Sequence, residues 1–458
     1  MSVREGVIGV DLGTTSTKVL VRDVDGRQLS LVEGRTPWTT TPDGGTETTA
    51  ETLVDFVVGL LHAALEAAAG PSAIRILGIG IAGLAESGVL VDGSGRPCTP
   101  VIAWFDRRGE EQVARAGLRH PDFPRRFVRR TGLPWDSQAS VAKLIWFADQ
   151  GFVTTAEHRW LNIPEYIVHR FGGERVSEPS LASRTGLFDQ GSRRGWCEGA
   201  AALGLPTTLL PESLPSGVSA GALSFNGLPA NVQGAALTVA GHDHPVAAIG
   251  VGATGADELF NSTGTADVVA RSLPGRLTDD QREELVGHGS SGGSHILPDT
   301  TLLLGGVRGG LLLRRVLGLL GAADGASRDR LDAAALKVGP LPAGLELSGA
   351  GPTGDDVVLR VRDDASPPVI WAAATRYTAA ETRSLLTILH RVVRPHRRAV
   401  ASGGWTRMAS VRRAKAAAID HLEFADVPEP GVVGAAVVAL QAASLSISTS
   451  PQAPTCPV

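Results

Sequence analysis

Residues 7–21 read Val-Ile-Gly-Val-Asp-Leu-Gly-Thr-Thr-Ser-Thr-Lys-Val-Leu-Val, two apolar runs separated by a turn of glycine and hydroxyls. Ile8, Val10 and Leu12 alternate toward one face, Val19 and Val21 resume after the turn, and Asp25-Gly26 supplies a hairpin signal. The pattern predicts a β-meander whose first turn is its most polar. That turn carries Asp11, Gly13, Thr14, Thr15 and Ser16, with Lys18 just beyond. Backbone N–H groups and hydroxyls in a tight turn form an anion-binding nest, and an adjacent Asp is a hard oxygen ligand suited to hydrated Mg²⁺. Gly and Thr are also common in plain polar hairpins, so the residues alone leave both readings open.

The chain beyond the meander alternates helix and strand. Leu53, Phe56, Val57, Leu60, Leu61, Ala64 and Leu65 recur at helical spacing over 50–69, and 74–82 is a nearly continuous apolar strand of the kind buried on both faces. Strand, helix, strand in that order predicts a layered α/β domain. Glu86 directly follows the buried strand, where it is either a ligand contact at a sheet crevice or a solvated loop acid. Trp104-Phe105-Asp106-Arg107-Arg108 offers a stacking surface beside polar groups, as a sugar pocket requires, or else the start of a helix through Gln112. A second loop, 131–138, ends in Gln138 and leads into a helix over 139–148. Gly, Ser, Pro and Asn accumulate over 216–233, a place for a domain boundary.

The second half begins like the first. Residues 235–240 predict a strand, Gly241-His242-Asp243-His244-Pro245 breaks it, and a helix follows. Residues 259–269 then repeat the opening design, with Gly264 and Thr265 between two apolar runs. Two such turns, one from each half, suit a polyphosphate gripped from opposite sides. The chain has only four lysines, Lys18, Lys143, Lys337 and Lys415, and none follows a glycine, so the phosphate loop ending in Gly-Lys-Ser/Thr is excluded.

Composition removes other classes. A net charge of −4 supplies no basic field for nucleic acid. Cys98, Cys197 and Cys456 are isolated, which fits neither a zinc pattern nor a disulfide framework. No run approaches the roughly 20 apolar residues of a membrane span, and the expectation is a soluble cytoplasmic protein. Gly250-x-Gly-x-x-Gly255 matches a dinucleotide fingerprint but falls at the end of an expected helix, and Gly289-x-Ser291-x-Gly293 matches a hydrolase elbow without a strong strand before it. Strand alternation would send the side chains of His242 and His244 away from Asp243, so no metal site is expected there. Residues 340–368 read as turn-rich, 379–393, 409–418 and 431–443 as helices, and 399–405 as a strand entering a glycine turn.

Asp11-Leu12-Gly13-Thr14-Thr15-Ser16, Trp104-x-Asp106-x-Arg108, Gly241-x-Asp243, Ser262-Thr263-Gly264-Thr265, and Ser402-Gly403-Gly404 followed by Gly434-Ala435-Ala436 together resemble the FGGY carbohydrate kinases. The resemblance runs in order through about residues 5–443. It implies an α/β protein of the actin and hexokinase superfamily, with two ribonuclease H-like domains of mixed sheets flanked by helices and an ATP and sugar cleft between them. The expected domains are 1–234 and 235–443, with 444–458 a disordered tail. The implied activity is ATP-dependent phosphorylation of a hydroxyl on a ketose, pentulose or polyol. A non-catalytic nucleotide-dependent switch on the same fold is the alternative. By resemblance Asp243 is the general base and Asp11 holds Mg²⁺ through water. Gly13, Thr14, Thr15, Gly264 and Thr265 face phosphates, and Gly403 and Gly404 admit the nucleotide. Glu86, Trp104, Asp106 and Gln138, with Asp243, line the sugar pocket. A homodimer would be ordinary for such an enzyme. The alternative reading of Asp243 is a helix N-cap before Pro245. The chain departs from the family in His242 and His244 beside the base, in Trp405 where a third glycine is usual, and in a shortened 340–370 region.

Overall fold

The computed structural model describes residues 3–69, 74–264, 266–349, 358–362 and 364–449. The chain divides into two compact units, one of Met1–Gly250, Gly293–Asp299 and Pro430–Val458, the other of Val251–Gly292 and Thr300–Glu429.

In the first unit the meander forms as its alternation predicts. Arg4–Leu12 pairs antiparallel with Ser16–Asp23, which pairs antiparallel with Gln28–Arg35. On the other side, Arg4–Leu12 pairs parallel with Ile74–Gly83, and that strand pairs parallel with Ala236–His242. Three antiparallel strands followed by two parallel ones is the ribonuclease H-like order. The helix Ala50–Ala68 starts where Thr49 accepts a hydrogen bond from the Thr52 N–H, and it buries Leu53, Val57, Leu61 and Ala64 in the core beneath the sheet. Each fully buried side chain of that size contributes about 1.5–3 kcal/mol.

The opposite face of this sheet is covered from the far end of the sequence. The helix Pro430–Thr449 lies close enough that a Cβ on Gly9, Gly78 or Gly80 would come within 2.6 Å of its backbone. Small residues on both sides make that approach possible: Ala435, Ala436 and Ala439 are fully buried. Gly434 lets the same helix meet the Val246 carbonyl of the helix Asp243–Gly250.

The second unit repeats the order. Glu258–Thr263 pairs antiparallel with Asp267–Pro274, which pairs antiparallel with Thr300–Val307; Glu258–Thr263 also pairs parallel with Arg398–Ser402, and that strand with Leu422–Phe424. Ser290–Ser294 is a buried edge strand, which disposes of a strand-to-helix hydrolase elbow at Ser291. The long helix Pro367–Val392 packs under the sheet through Leu385, Leu386 and Leu389.

Three expectations shift. The strand Ala236–His242 belongs to the first sheet, so the division falls after Gly250 rather than at 234/235. The final helix continues to Thr449 and belongs to the first unit, so the helix runs past the expected end at 443, while 450–458 lies outside the described residues. Pro367 and Pro368 open a helix instead of ending a turn-rich segment, because proline at the first helical positions gives up an N–H that has no partner there. Asp355, Asp356 and Asp363 lie outside the described residues. Among the described residues no helix is long and apolar enough to cross a membrane.

Candidate functional site

Three parallel strands of the first unit end in register. Leu12 is opposite Gly83, and Gly83 is opposite His242. Asp11 therefore sits one residue before this row, Glu86 three after it and Asp243 one after it, so three carboxylates collect at one edge of the sheet. Carboxyl ends of parallel strands are where ligands enter α/β sheets. Strand spacing of about 4.8 Å puts the outer two strands roughly 10 Å apart, within the span of a small substrate.

Asp243 begins the helix Asp243–Gly250, and its side chain is about one quarter exposed. Its Oδ1 accepts the His244 N–H at 2.6 Å and lies 3.2 Å from His242 Nε2 and 3.9 Å from His244 Nε2. The two imidazoles and the carboxylate therefore gather, contrary to strand alternation, because the strand stops at His242 and the chain turns into a helix. Gly241 makes that turn possible. Its φ is 115°, and a Cβ there would meet Ile296 at 2.4 Å and Ser180 Oγ at 2.9 Å. Ser180 Oγ in turn accepts the His242 N–H at 2.9 Å and donates to Glu178 Oε2 at 2.5 Å, so a buried carboxyl and hydroxyl hold the strand end from behind.

Glu86 is buried and occupies the left-handed region at φ 62°. Arg184 Nε donates to its Oε1 at 2.6 Å. Burial raises the Glu86 carboxyl above the usual range, Arg184 opposes this, and the nearby Asp243 charge adds to it. Burial likewise pushes the His242 imidazole down to about 3, against the attraction of Asp243, so this ring is neutral at pH 7.

The first polar turn is held through its carbonyls. Thr36 Oγ1 donates to Gly13 O at 2.7 Å, Trp38 Nε1 to Thr14 O at 2.8 Å, and the Thr36 N–H to Thr15 O at 3.1 Å. In a trans peptide the following N–H points the opposite way. The N–H groups of Thr14, Thr15 and Ser16 are thus turned away from Thr36 and Trp38, as an anion nest requires. Trp104 Nε1 donates to Thr14 Oγ1 at 2.9 Å, joining the aromatic cluster to this turn. Asp11 lies beside the first turn of the terminal helix, where a Cβ on Gly431 would come within 2.1 Å of its Oδ2.

Asp106 has another task. Its carboxylate accepts Thr46 N at 2.6 Å, Arg108 N at 2.8 Å, and Arg108 Nε and NH2 at 3.0 and 2.8 Å. Burial would raise this carboxyl, yet these bonds hold it below the usual range. Its acceptors are engaged within the protein, so the expectation that it contacts sugar gives way to a loop pin. Gln138 joins the group indirectly: its N–H donates to Asp136 Oδ1 at 2.8 Å, and Asp136 feels the charges of Arg184 and Lys143. Lys143, fully buried, donates to the carbonyls of Asp106, Arg108 and Ser137 and fastens both loops; burial brings its pKa down to about 8.

In the second unit the turn after Thr263 is closed by the Gly264 N–H donating to Ala266 O at 3.0 Å; Thr265 lies outside the described residues. Thr263 Oγ1 donates to Ser402 O at 2.9 Å, and Gly403, at φ 125°, approaches so closely that a Cβ would meet Thr263 O at 2.5 Å. The hairpin and the glycine pair are thereby one structure. A Cβ on Gly404 would enter open space. Trp405 turns inward to pack near Trp371, with ring centroids 6.3 Å apart. Lys415 Nζ fastens the hairpin by donating to Asp267 Oδ2 at 2.5 Å and Asn261 Oδ1 at 2.8 Å.

Arg184, Ser180, Glu178 and Lys143 escaped sequence reasoning. Arg184 is 98 residues from Glu86, and nothing in local spacing marks it. A buried, isolated lysine in a chain with so few was the one available signal.

Residues 6–250 match the N-terminal domain of the FGGY family of carbohydrate kinases. A xylulose kinase of Streptomyces rubiginosus is 28% identical over 280 residues, 60% of this chain and 56% of that protein, so the matching stretch spans little more than half of the curated relative. Among solved structures, a gluconate kinase from Lactobacillus acidophilus superposes with a TM-score of 0.82 at 21% identity, covering 96% of this chain and 90% of the other. A Plasmodium falciparum glycerol kinase with ADP gives 0.81 at 17% identity, covering 99% and 91%. These structural likenesses establish the fold, and the match over more than half of the sequence establishes the lineage: the chain belongs to the FGGY family of carbohydrate kinases.

Proposed function

We propose that the protein is an ATP-dependent kinase that transfers the γ-phosphoryl group to a hydroxyl of a small ketose, pentulose or polyol. The observation that carries this reading is the register that brings Asp11, Glu86 and Asp243 to one strand edge. Phosphoryl transfer demands a carboxylate within reach of the acceptor hydroxyl and a clamp on the phosphates. Asp243 serves as base. With its Oδ1 engaged by His242 and His244, Oδ2 takes the hydroxyl proton. Glu86, oriented by Arg184, and Trp104 bind the acceptor, with Gln138 placing the adjoining loop. By the family resemblance, ATP is bound by Gly13, Thr14 and Thr15 in the first unit and by Gly264, Thr265, Gly403 and Gly404 in the second; the outward N–H groups of the first polar turn support this for the phosphates.

Asp11 fits a hydrated Mg²⁺: it is a hard oxygen donor beside a phosphate nest, and Gly431 keeps a side chain away from it. The ion, when bound with ATP, neutralises charge on the phosphates. The names of its sequence relatives, xylulose kinase and glycerol kinase, support an acceptor of three to five carbons without choosing among them. The same reading makes the protein a cytoplasmic enzyme and favours a homodimer. ADP release measured with ATP, Mg²⁺ and a panel of ketoses, polyols and aldonic acids tests it. At least one acceptor should raise the rate far above ATP alone; ATP binding with no acceptor-stimulated release from any of them would favour a nucleotide-dependent switch.

A further inference from the structure

We propose that His242, Asp243 and His244 form a three-ligand site for a borderline divalent transition-metal ion such as Zn²⁺ or Co²⁺, distinct in chemistry from the Mg²⁺ expected at Asp11. One ligand atom from each of the three lies within 4.8 Å of the others. His242 Nε2 and His244 Nε2 are 3.2 and 3.9 Å from Asp243 Oδ1. Metal bonds of about 2.0–2.2 Å in a tetrahedron separate neighbouring ligand atoms by about 3.4 Å, so small side-chain rotations close the site. Two imidazoles and one carboxylate select Zn²⁺, Co²⁺ or Ni²⁺, whereas Mg²⁺ prefers an all-oxygen shell.

Further features suit a ligand set. His242 is 5% exposed. Its backbone is fixed by Ser180. Asp243 and His244 are each about one quarter exposed, which supplies an entry path and leaves a fourth position for water. Arg184 and Glu86 stand nearby as a neutralising pair. Metal binding stands independently of the kinase reading. Its consequence rests on that reading: an ion held by Asp243 removes the base, so the same residues make the enzyme sensitive to zinc.

The test is titration of the full-length protein with Co²⁺ alone, followed by visible d–d absorption and calorimetry. One equivalent should bind with bands of a low-coordinate nitrogen and oxygen site. His244→Gln, at the more exposed ligand, should weaken binding at least tenfold while circular dichroism confirms an intact fold. His396→Asn, which alters the separate His390 and His396 pair, should bind as the wild type does. Absence of the bands, or bands unchanged in His244→Gln, would overturn the proposal. Zn²⁺ should also inhibit acceptor-dependent ADP release, less so in His244→Gln. A protein that binds Co²⁺ but releases no ADP would refute the kinase reading alone; normal ADP release without Co²⁺ binding would refute the metal site alone.

Discussion

Glu86 shows how much this site depends on partners outside its own segment. A left-handed backbone, burial and an ionisable side chain are three separate costs, and the Arg184 guanidinium at 2.6 Å is what offsets them. Replacing Arg184 by Met should leave the Glu86 carboxyl buried without its counter-charge. The expected loss is about 3–5 kcal/mol of stability, read as a lower urea midpoint. A loss under about 1 kcal/mol would mean that the pair contributes little. The positions of Asp11, Glu86 and Asp243 are legible in the sequence because each lies at or just past the end of an apolar strand, and strand ends are positional signals. Asp106 misleads for the same kind of local reason: it sits in a cluster suited to sugar, but Arg108, two residues on, fills its acceptors. Arg184 is invisible because its partner Glu86 lies 98 residues away in the chain, and Ser180 because the strand end it holds at His242 lies 62 residues on.

At the level of elements, both meanders and the strand-turn-strand repeat follow from alternation. Helix ends were harder to read. The helix Pro367–Val392 was expected only from residue 379, because a proline pair reads as a breaker until the fold places it in a first turn. The terminal helix outran its apolar pattern into a serine-rich stretch because alanine and glycine let it bed on the sheet. That packing makes a definite expectation. Gly80→Val would drive a branched side chain into the Ala435 carbonyl, 2.3 Å from the position of its Cβ. Overpacking there should cost at least about 1–3 kcal/mol and lower the melting temperature. An unchanged melting temperature would show that the helix is free to shift.

For the whole molecule, buried acids set the response to pH. Burial pushes the Glu165 carboxyl up to about 8 and Glu178 to about 7. Unfolded carboxyls of this type titrate near about 4.3, so the folded chain holds protons that the unfolded chain has lost. Stability should therefore be fully expressed below about pH 4.3 as far as these two groups go, fall as pH rises toward 8, and then level off. Glu165→Gln should flatten the upper part of this decline in urea midpoints taken between about pH 5 and about pH 8; an equally steep decline in the variant would contradict the assignment. The proposed transfer rests on Asp243 as the group that receives the acceptor's proton. The direct measurement is the single-turnover rate of acceptor phosphorylation, by mass spectrometry, for the wild type and Asp243→Asn with ATP and Mg²⁺. The variant should bind ATP with nearly unchanged affinity and transfer phosphate about 10²–10⁴-fold more slowly. Transfer at the wild-type rate would contradict the assignment of Asp243 as base.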